Sequence, residues 1–461
     1  MKVSVTGLGA LEQADFTLGD MTIICGTNNT GKTYATYALF GFLTFWHERF
    51  LIGIPDHVIE TLLASGVVHI NLDTYRPQLE AILASSCNQY AERLPNVFAA
   101  PKGRFAQTRF RISLENGGPV PSKRFGRRFR SANAELLSFE KAEGSSDLVV
   151  SLLAETDAVR LPRTVIEGTI SAALKDILFG HRLPLPFIAS AERTGAAIFR
   201  KELNFKRNRL LEEMAQAGKE VDPLELLFKA YQDYPLPVET NVEFTRQIET
   251  VARQQSALAE EHPEVLREFA DIIGGEYRVT ANDELYYLPQ GRSVKLSPNE
   301  SSSVVRSLLD IGFYLKHLAR PGDLLMVDEP ELSLHPENQR RVARLFARLV
   351  NLGIKIFVTT HSDYLIKELS TLIMLYPDDD RLQRIAQEEG YTRDELLEQT
   401  RIRVYIAEKA LAMREGGKRR TYCQTLTVAD VDARRGIEAR SFDTTIETMN
   451  RIQEKIVWGL E

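Results

Sequence analysis

A glycine loop near the start of the chain has residue types and spacing that can hold phosphate. It runs from Gly26 to Thr33 with the pattern G-x-x-x-x-G-K-T, after an apolar run at 21–25 and before a stretch with helical apolar spacing. In this context the backbone N–H groups of the loop and of the helix N-terminus point at a bound phosphate. Gly31 allows a tight turn, Lys32 reaches the β- and γ-phosphates, and Thr33 is a ligand for Mg²⁺. The predicted nucleotide contacts are Asn28, Asn29, Thr30, Gly31, Lys32 and Thr33.

Two adjacent carboxylates end an apolar run in the second half of the chain. Asp328 and Glu329 follow residues 324–327, which have the composition of a buried strand. Acids at the carboxyl end of a strand lie where open α/β sheets bind ligands. Because neighbouring residues on a strand face opposite ways, the two acids can have distinct roles. We expect Asp328 to bind Mg²⁺, directly or through water, and Glu329 to polarise the attacking water as general base.

A third apolar run, at 354–360, ends in a histidine. His361 at such a strand end can contact a γ-phosphate or the attacking water. Alone it would be an ordinary hydrogen-bonded loop histidine. Its position after the other two motifs makes it a candidate catalytic residue.

Composition and charge indicate a globular protein and argue against a membrane-spanning or nucleic-acid-coating one. The chain has 461 residues, 44% of them hydrophobic and 26% charged, which is typical of a globular protein with two or three domains. A net charge of −6 argues against coating by nucleic acid, although a local basic patch is compatible with it. The cysteines (Cys25, Cys87 and Cys423) show no metal spacing and suit a reducing compartment. The N-terminus has no signal-peptide pattern, and the longest apolar stretch, 34–46, is too short for a bilayer. We therefore expect a cytoplasmic protein without a membrane partner.

The spacing of apolar residues predicts the elements that position these motifs in the first half of the chain. Residues 1–25 indicate short strands, and 51–93 indicate helices broken at Pro55, Gly66 and Pro77. Two further expected elements are a helix at 161–178 and a strand at 184–190 that returns to the core.

The second half of the chain, from residue 200 onward, has a different pattern of predicted helices and strands. Residues 200–255 are rich in Glu, Lys, Arg, Leu and Gln and indicate long helices in an antiparallel arm. Residues 277–296 indicate a small β-meander, followed by serines that can cap an apolar helix at 304–318. Beyond His361 we expect two strands, at 401–407 and 421–428, and a helix at 443–458.

A basic segment at 102–130 contains interleaved phenylalanines and one acid, Glu115. It could bind nucleic acid, with arginines on phosphates and rings stacked on bases. It could equally receive an acidic protein, or be a solvated surface hairpin. Its basic residues are Lys102, Arg104, Arg109, Arg111, Lys123, Arg124, Arg127, Arg128 and Arg130, and its phenylalanines are Phe105, Phe110, Phe125 and Phe129.

These motifs, in this order, resemble the heads of ABC-type ATPases of the SMC/RecF/OLD group. The resemblance implies an α/β P-loop ATPase head, with Walker A at 26–33, Walker B at 324–329, a D-loop region at 330–336 and His361 as the switch histidine. Ser301, Ser302 and Ser303 resemble the serine part of a degenerate ABC signature, which departs from L-S-G-G-Q because no glycine pair follows Leu296-Ser297. The glutamine of the Q-loop has no obvious match. Glu192 and Arg193, after the strand at 184–190, either lie near the nucleotide or form only a surface ion pair.

The resemblance also implies how the chain is divided and assembled. The expected segments are an N-terminal lobe with Walker A (1–47), an inserted helical and basic β region (48–183), a return strand (184–199), a helical arm (200–275), a C-terminal lobe with signature, Walker B and switch histidine (276–376), and a C-terminal α/β extension (377–461). In such heads, ATP and Mg²⁺ lie between the phosphate loop of one subunit and the signature of another. At least a homodimer with composite ATP sites is therefore implied.

Within the group, residues 328–369 look most like bacterial anti-phage defence ATPases, such as OLD-like proteins and the ATPases of the Septu and PARIS systems. This implies an ATP-hydrolysing sensor or scaffold that controls a separate effector, a nuclease or a toxin. One alternative is a RecF/SMC-like DNA-repair ATPase, whose contacts to phosphates would be Arg109, Arg111, Arg124, Arg127 and Arg128. Another is an OLD-like nuclease. Against it, Asp430-Val431-Asp432 is the only D-x-D after His361, and no E-G-x-x-E partner is visible in the sequence.

Overall fold

The structure is a computed structural model that describes residues 1–114, 123–131, 134–153, 161–198, 234–280, 284–413, 419–438 and 448–456. Its helices are α1 (Lys32–Glu48), α2 (Asp56–Ser65), α3 (Leu79–Ala91), α4 (Leu94–Val97), α5 (Arg163–Leu178), α6 (Arg193–Ile198), α7 (Leu236–Arg246), α8 (Ile248–Val251), α9 (Ala257–Glu261), α10 (Pro263–Ile273), α11 (Ser303–Ser307), α12 (Leu309–His317), α13 (Pro336–Asn351), α14 (Asp363–Met374) and α15 (Asp380–Glu388). Its strands are β1 (Lys2–Leu8), β2 (Leu11–Thr17), β3 (Met21–Cys25), β4 (Val67–Asn71), β5 (Arg109–Ser113), β6 (Phe125–Ser131), β7 (Ala134–Lys141), β8 (Asp147–Leu152), β9 (Pro186–Ala189), β10 (Gly275–Val279), β11 (Leu285–Pro289), β12 (Leu324–Asp328), β13 (Lys355–Thr360), β14 (Ile402–Met413), β15 (Arg420–Val428), β16 (Val431–Asp432) and β17 (Gly436–Ile437).

The described chain forms two compact units. The smaller unit contains Met1–Val3, Phe42–Ala91 and Phe110–Leu185, and the larger unit contains Ser4–Gly41, Glu92–Arg109 and Pro186–Glu461. In the part of the chain that the structure describes, no helix is both long and apolar enough to cross a bilayer.

A six-stranded sheet organises the larger unit, in the order β15-β14-β3-β13-β12-β9. Strands β14, β3, β13, β12 and β9 are parallel, and β15 pairs antiparallel to β14. Strands β3 and β12 are buried along their whole length, as expected for a parallel sheet covered on both faces. The register pairs Cys25 with Thr360, and Asp328 with Thr359. The predicted α/β fold is thus confirmed, and this register brings the ends of the three motif strands to one edge of the sheet.

The C-terminal strands belong to this sheet. Residues 377–461 were expected to form an extension, but β14 pairs with β3, the strand that leads into the glycine loop. The expected helix at 443–458 lies partly outside the described residues, and 448–456 are helical. The first part of the expected arm, residues 200–233, also lies outside the described ranges. The helices that follow it include α10, whose Val265, Phe269 and Ile272 pack into the core of the larger unit.

The apolar helix expected at 304–318 is divided into α11 and α12 at Leu308. Two carbonyl groups of α11 accept hydrogen bonds from side chains of other elements. The Tyr277 hydroxyl donates to the Val305 carbonyl, and Arg193 Nε donates to the Ser307 carbonyl. A tertiary contact therefore interrupts a helix that the apolar spacing alone would continue.

The smaller unit contains a four-stranded antiparallel sheet in the order β4-β8-β7-β6, together with α2, α3 and α5. Strand β4 corrects the expectation that 51–93 is entirely helical. Its Val68 and Ile70 are buried, whereas Val67, His69 and Asn71 are exposed. This two-residue alternation is that of a strand, but it is too short to be separated from helical spacing in the sequence.

Candidate functional site

The glycine loop leaves β3 in a conformation that requires glycine at two positions. Gly26 has φ of +142° and Gly31 has φ of +97°. A Cβ atom at Gly26 would lie 2.6 Å from the Ala407 carbonyl oxygen of β14, and one at Gly31 would lie 2.7 Å from Leu11 Cγ. The loop is therefore packed between Leu11 of β2 and Ala407 of β14, with Thr27, Asn28 and Asn29 exposed.

Lys32 lies across this loop. Its side chain is buried, and Nζ donates to the carbonyls of Gly26 and Thr27, each at 2.9 Å. Burial lowers the pKa of Lys32, and the negative charges of Glu329, Asp328 and Glu331 oppose that change. The charges of these three acids therefore favour the protonated form of Lys32.

The C-terminal hairpin supports the loop in a way that the sequence did not indicate. Gln424 of β15 donates Nε2 to the Thr30 carbonyl at 2.9 Å, and Thr30 donates its own hydroxyl to the Thr27 carbonyl at 2.8 Å. Nothing about an isolated glutamine in a strand predicts this contact.

Asp328 is at the end of β12 and is 1% exposed. The Thr359 hydroxyl donates to its Oδ1, and burial raises the pKa of Asp328 to about 6. A buried carboxylate together with the exposed hydroxyl of Thr33 is the all-oxygen donor set that Mg²⁺ prefers, usually with substrate phosphates completing it. The residues present thus fit the predicted metal. Among the described residues there is no group of three or more His, Cys, Asp or Glu side chains that could hold a metal by themselves.

Glu329 has an unusual backbone for a residue that is not glycine. Its φ is +50°, its N–H donates to the Thr359 carbonyl at 3.0 Å, and its side chain is half-buried. Left-handed backbone at such a residue costs about 1 kcal/mol or more and persists only where neighbours enforce it. The conformation turns the chain out of the sheet directly after Asp328.

His361 lies beside two carboxylates. Its Nδ1 is 3.5 Å from Glu329 Oε1 and 3.3 Å from Glu331 Oε1. Glu331 also accepts hydrogen bonds at Oε1 from the His361 N–H and the Thr360 hydroxyl, both at 2.8 Å. The sequence did not single out Glu331 for a role, although it lies in the D-loop region and joins that region to the loop after β13.

Arg193 does not form the surface ion pair that was one reading of Glu192 and Arg193. It is 1% exposed and directs its guanidinium at main-chain carbonyls, those of Asp328 and Glu329 among them. Glu192 accepts a hydrogen bond from the Tyr37 hydroxyl at 3.0 Å.

A groove with aromatic residues lies beside the first turn of α1. It has a volume of about 500 Å³, and its lining includes Tyr34, Phe98, Arg104 and Phe105. Tyr34 stacks on Phe98 with ring centroids 5.1 Å apart. Tyr34 follows the predicted phosphate contacts directly in the chain, so the groove lies where a nucleobase could stack.

The three signature-like serines differ in accessibility. Ser301 is buried and donates to the Ser297 carbonyl at 2.8 Å. Ser302 caps α11 by accepting from the Val305 N–H, and both Ser302 and Ser303 are exposed. The structure therefore leaves Ser302 and Ser303 open for contact with another molecule.

The basic segment is not one uniform surface. Lys102, Arg104 and Arg109 belong to the larger unit, whereas the residues from Arg111 onward belong to the smaller one. Phe105 and Phe110 are buried, because strand alternation turns Phe110 inward, so these two rings cannot stack on bases as suggested. Three arginines of β6 have acidic partners: Arg127 with Asp176, and Arg128 and Arg130 with Glu135.

Comparison with known proteins identifies a family relationship. Residues 21–367 match the family model described as "AAA domain, putative AbiEii toxin, Type IV TA system". No match is found among curated proteins.

Several solved structures are similar over most of their length. The chain is 11% identical to an SmcHead bound to the C-winged helix domain of ScpA, covering 92% of this chain and 97% of that one with a TM-score of 0.32. It is 10% identical to the SMC head domain from Thermotoga maritima, covering 93% and 98% with a TM-score of 0.31. It is 13% identical to an Smc head domain with an extended coiled coil bound to the C-terminal domain of ScpA, derived from Pyrococcus furiosus, covering 98% of each chain with a TM-score of 0.31. At these TM-scores the likenesses are remote.

Proposed function

Because the chain belongs to this AAA-domain family, whose model matches residues 21–367, we propose that it binds ATP with Mg²⁺ and hydrolyses ATP to ADP and phosphate. The observation that supports the proposal best is the meeting of charged side chains at one edge of the parallel sheet. The charges of Asp328 and Glu329 act on Lys32, and His361 Nδ1 lies 3.5 Å from Glu329 Oε1.

Each side chain of this edge has a part in the proposed reaction. Lys32 binds oxygens of the β- and γ-phosphates, and Thr33 with Asp328 holds the metal. When bound, Mg²⁺ supplies charge neutralisation on the phosphate oxygens. Glu329 takes a proton from the attacking water. The water oxygen bonds to the γ-phosphorus, and the bond between the γ-phosphorus and the departing ADP oxygen breaks. His361 donates a hydrogen bond to the γ-phosphate or orients the water.

The groove beside α1 is proposed as the place of the adenine ring. Tyr34 and Phe98 offer aromatic faces next to the loop, and Arg104 offers a cation near the base or ribose. Stacking on an aromatic face tolerates any base, so this groove supports affinity more than selectivity.

We further propose that two chains form composite ATP sites, with Ser302 or Ser303 of one chain contacting the nucleotide of the other. The support is the resemblance to ABC-type heads together with the exposure of both serines. Mixing two inactive variants tests this arrangement. Lys32→Ala removes the phosphate contact of its own chain, and Ser302→Arg blocks the surface offered to the partner.

Each variant alone is expected to be inactive, whereas an equimolar mixture should regain about one quarter of the wild-type rate, because half of the dimers are mixed and each has one intact site. ATP hydrolysis measured before and after mixing checks this result. Recovery also shows that Ser302→Arg is folded, since its own Lys32 serves the restored site. A mixture that stays as inactive as its components, from variants that still dimerise, would exclude the composite site.

A sensor or scaffold role in anti-phage defence, acting on a separate nuclease or toxin, is the proposed biological function. It is supported by the family description, which includes a toxin–antitoxin system, and by the smaller unit inserted within the ATPase chain. The partner surface is proposed to lie in that unit, on the basic strand β6. The arginines of β6 are paired with acidic side chains, which favours a protein over a nucleic acid as the partner. An arginine that is already neutralised displaces fewer counterions from nucleic-acid phosphates and so contributes less to binding them.

The defence role is tested in cells infected with phage. Cells that carry this chain with its neighbouring genes are expected to plate phage at least about 10-fold less efficiently than cells carrying the Lys32→Ala variant, since effector control depends on nucleotide binding. Equal plating would reject the defence role. Metal-dependent DNA cleavage by the purified chain alone would instead support the nuclease alternative.

A further inference from the structure

A buried arginine with no role in the reaction above connects three segments of the larger unit. Arg193 begins α6, directly after β9, and is 1% exposed. Its Nη1 donates to the carbonyls of Ser190, at 2.8 Å, and Asp328, at 2.7 Å. Its Nη2 donates to the Glu329 carbonyl at 2.9 Å, and its Nε donates to the Ser307 carbonyl at 2.7 Å. Burial of a guanidinium group costs folding free energy unless its N–H groups are hydrogen-bonded, and here all three nitrogens have main-chain acceptors.

One side of this arrangement fixes the proposed general base. The Glu329 N–H donates to Thr359 of β13, and the Glu329 carbonyl accepts from Arg193. These two bonds hold the backbone of Glu329 at its left-handed φ of +50°. Arg193 therefore determines where the Glu329 side chain leaves the main chain, without touching the carboxylate through any hydrogen bond found among the described residues.

The other side reaches the helix with the exposed serines. Ser307 is the last residue of α11, one and a half turns after Ser302, and its carbonyl accepts from Arg193 Nε. Asp310, in the first turn of α12, is buried, and Thr245 donates its hydroxyl to Oδ1 at 3.4 Å. Burial raises the pKa of Asp310 to about 7, and the positive charge of Arg193 opposes that rise. Helices α11 and α12 are thus tied to the same guanidinium by a hydrogen bond and by charge.

We propose that Arg193 is a positioning residue that couples α11 to Glu329. Movement of α11, as its serines meet the nucleotide of a second chain, is transmitted through the Ser307 carbonyl and the guanidinium to the Glu329 carbonyl. The general base of one chain is thereby set by contact with the ATP held by the other. This inference rests on the proposed ATPase function and its composite sites.

Arg193→Lys tests the coupling, because an ammonium group is a compact point charge that cannot span four carbonyls in a plane as a guanidinium does. The variant is expected to bind ATP with KM within about threefold of wild type, while kcat falls about 100-fold through misplacement of the base. It should also accumulate an ATP-bound dimer. A purely structural role would instead lower ATP binding and dimer formation together with kcat. Arg435→Lys, at an exposed arginine, is the matched control and should keep the wild-type rate.

Amide hydrogen exchange measures the coupling itself. With a non-hydrolysable ATP analogue and Mg²⁺, the wild-type dimer is expected to protect both 302–307 and 328–334, whereas Arg193→Lys should protect only 302–307. The inference would be overturned if Arg193→Lys had the wild-type kcat, or if the wild-type dimer protected 302–307 without protecting 328–334. Ser302→Arg keeps the test decisive if Arg193→Lys does not fold: it should hold ATP in its own loop without the contact to the partner, so wild-type protection of 328–334 in this variant would also overturn the inference.

Failure of the proposed function has a different signature. If wild-type protein did not hydrolyse ATP, or formed no dimer with ATP, the premise itself would fall. If Glu329→Gln abolished hydrolysis and Arg193→Lys did not reduce it, only the coupling would be wrong.

Discussion

Replacing Glu329 with glutamine is expected to lower kcat for ATP hydrolysis by at least about 100-fold, because glutamine cannot accept the proton of the attacking water. ATP binding should persist, since Lys32 and the loop are unchanged. The ATP-bound dimer should therefore become long-lived. Steady-state hydrolysis and analytical ultracentrifugation with ATP and Mg²⁺ measure the two effects.

Glu388→Gln is the control for this change, because Glu388 is an exposed glutamate at the end of α15 and should leave the rate unaltered. Hydrolysis by Glu329→Gln at the wild-type rate would show that another group is the base. Glu331 would then be the candidate base, since its Oε1 lies 3.3 Å from His361 Nδ1.

Replacing Lys32 with alanine is expected to weaken ATP binding by about 100-fold, since charge-assisted hydrogen bonds to the phosphates are lost. Hydrolysis should fall below detection at ATP concentrations that saturate the wild type. Retention of the folded state is measured separately, because the Gly26 and Thr27 carbonyls lose their hydrogen bonds to Lys32 in this variant. Titration with a fluorescent ATP analogue measures the affinity.

Lys367→Ala serves as the comparison variant, because Lys367 is an exposed lysine of α14 and its replacement should leave ATP binding as in the wild type. Unchanged affinity in Lys32→Ala would mean that the loop from Gly26 to Thr33 does not hold the phosphates. The thermal midpoint of both variants separates lost binding from lost structure.

The motif strands could be predicted because their information is local. Each is a short, continuously apolar run followed by a chemically distinctive residue, and parallel strands bring such ends to one edge. The family match confirms the ATPase class inferred from these motifs. The likeness to particular defence systems and the roles of individual residues stay predictions.

Other parts had no local signal. Gln424 and Glu331 are single polar residues whose importance comes from partners far away in the chain. The sequence did place Arg193 after a strand, but it did not indicate that its partners are main-chain carbonyls. The position of β14 next to β3 could not be predicted either, because the order of strands in a sheet depends on which strands pair and not on the residues of any one strand. The division of α11 from α12 follows from side chains of other elements.

The placement of β3 has a consequence for the synthesis of the protein. Residues 21–25 are made long before their two neighbouring strands, β13 and β14, which lie at residues 355–360 and 402–413. Such long sequence separations make folding of this sheet slow and leave β3 without these two partners until they have been made. A product that terminates before β14 therefore has the whole glycine loop but lacks one wall of it, and it should not be competent to bind nucleotide. Nucleotide binding by this chain would therefore indicate that translation has passed β14.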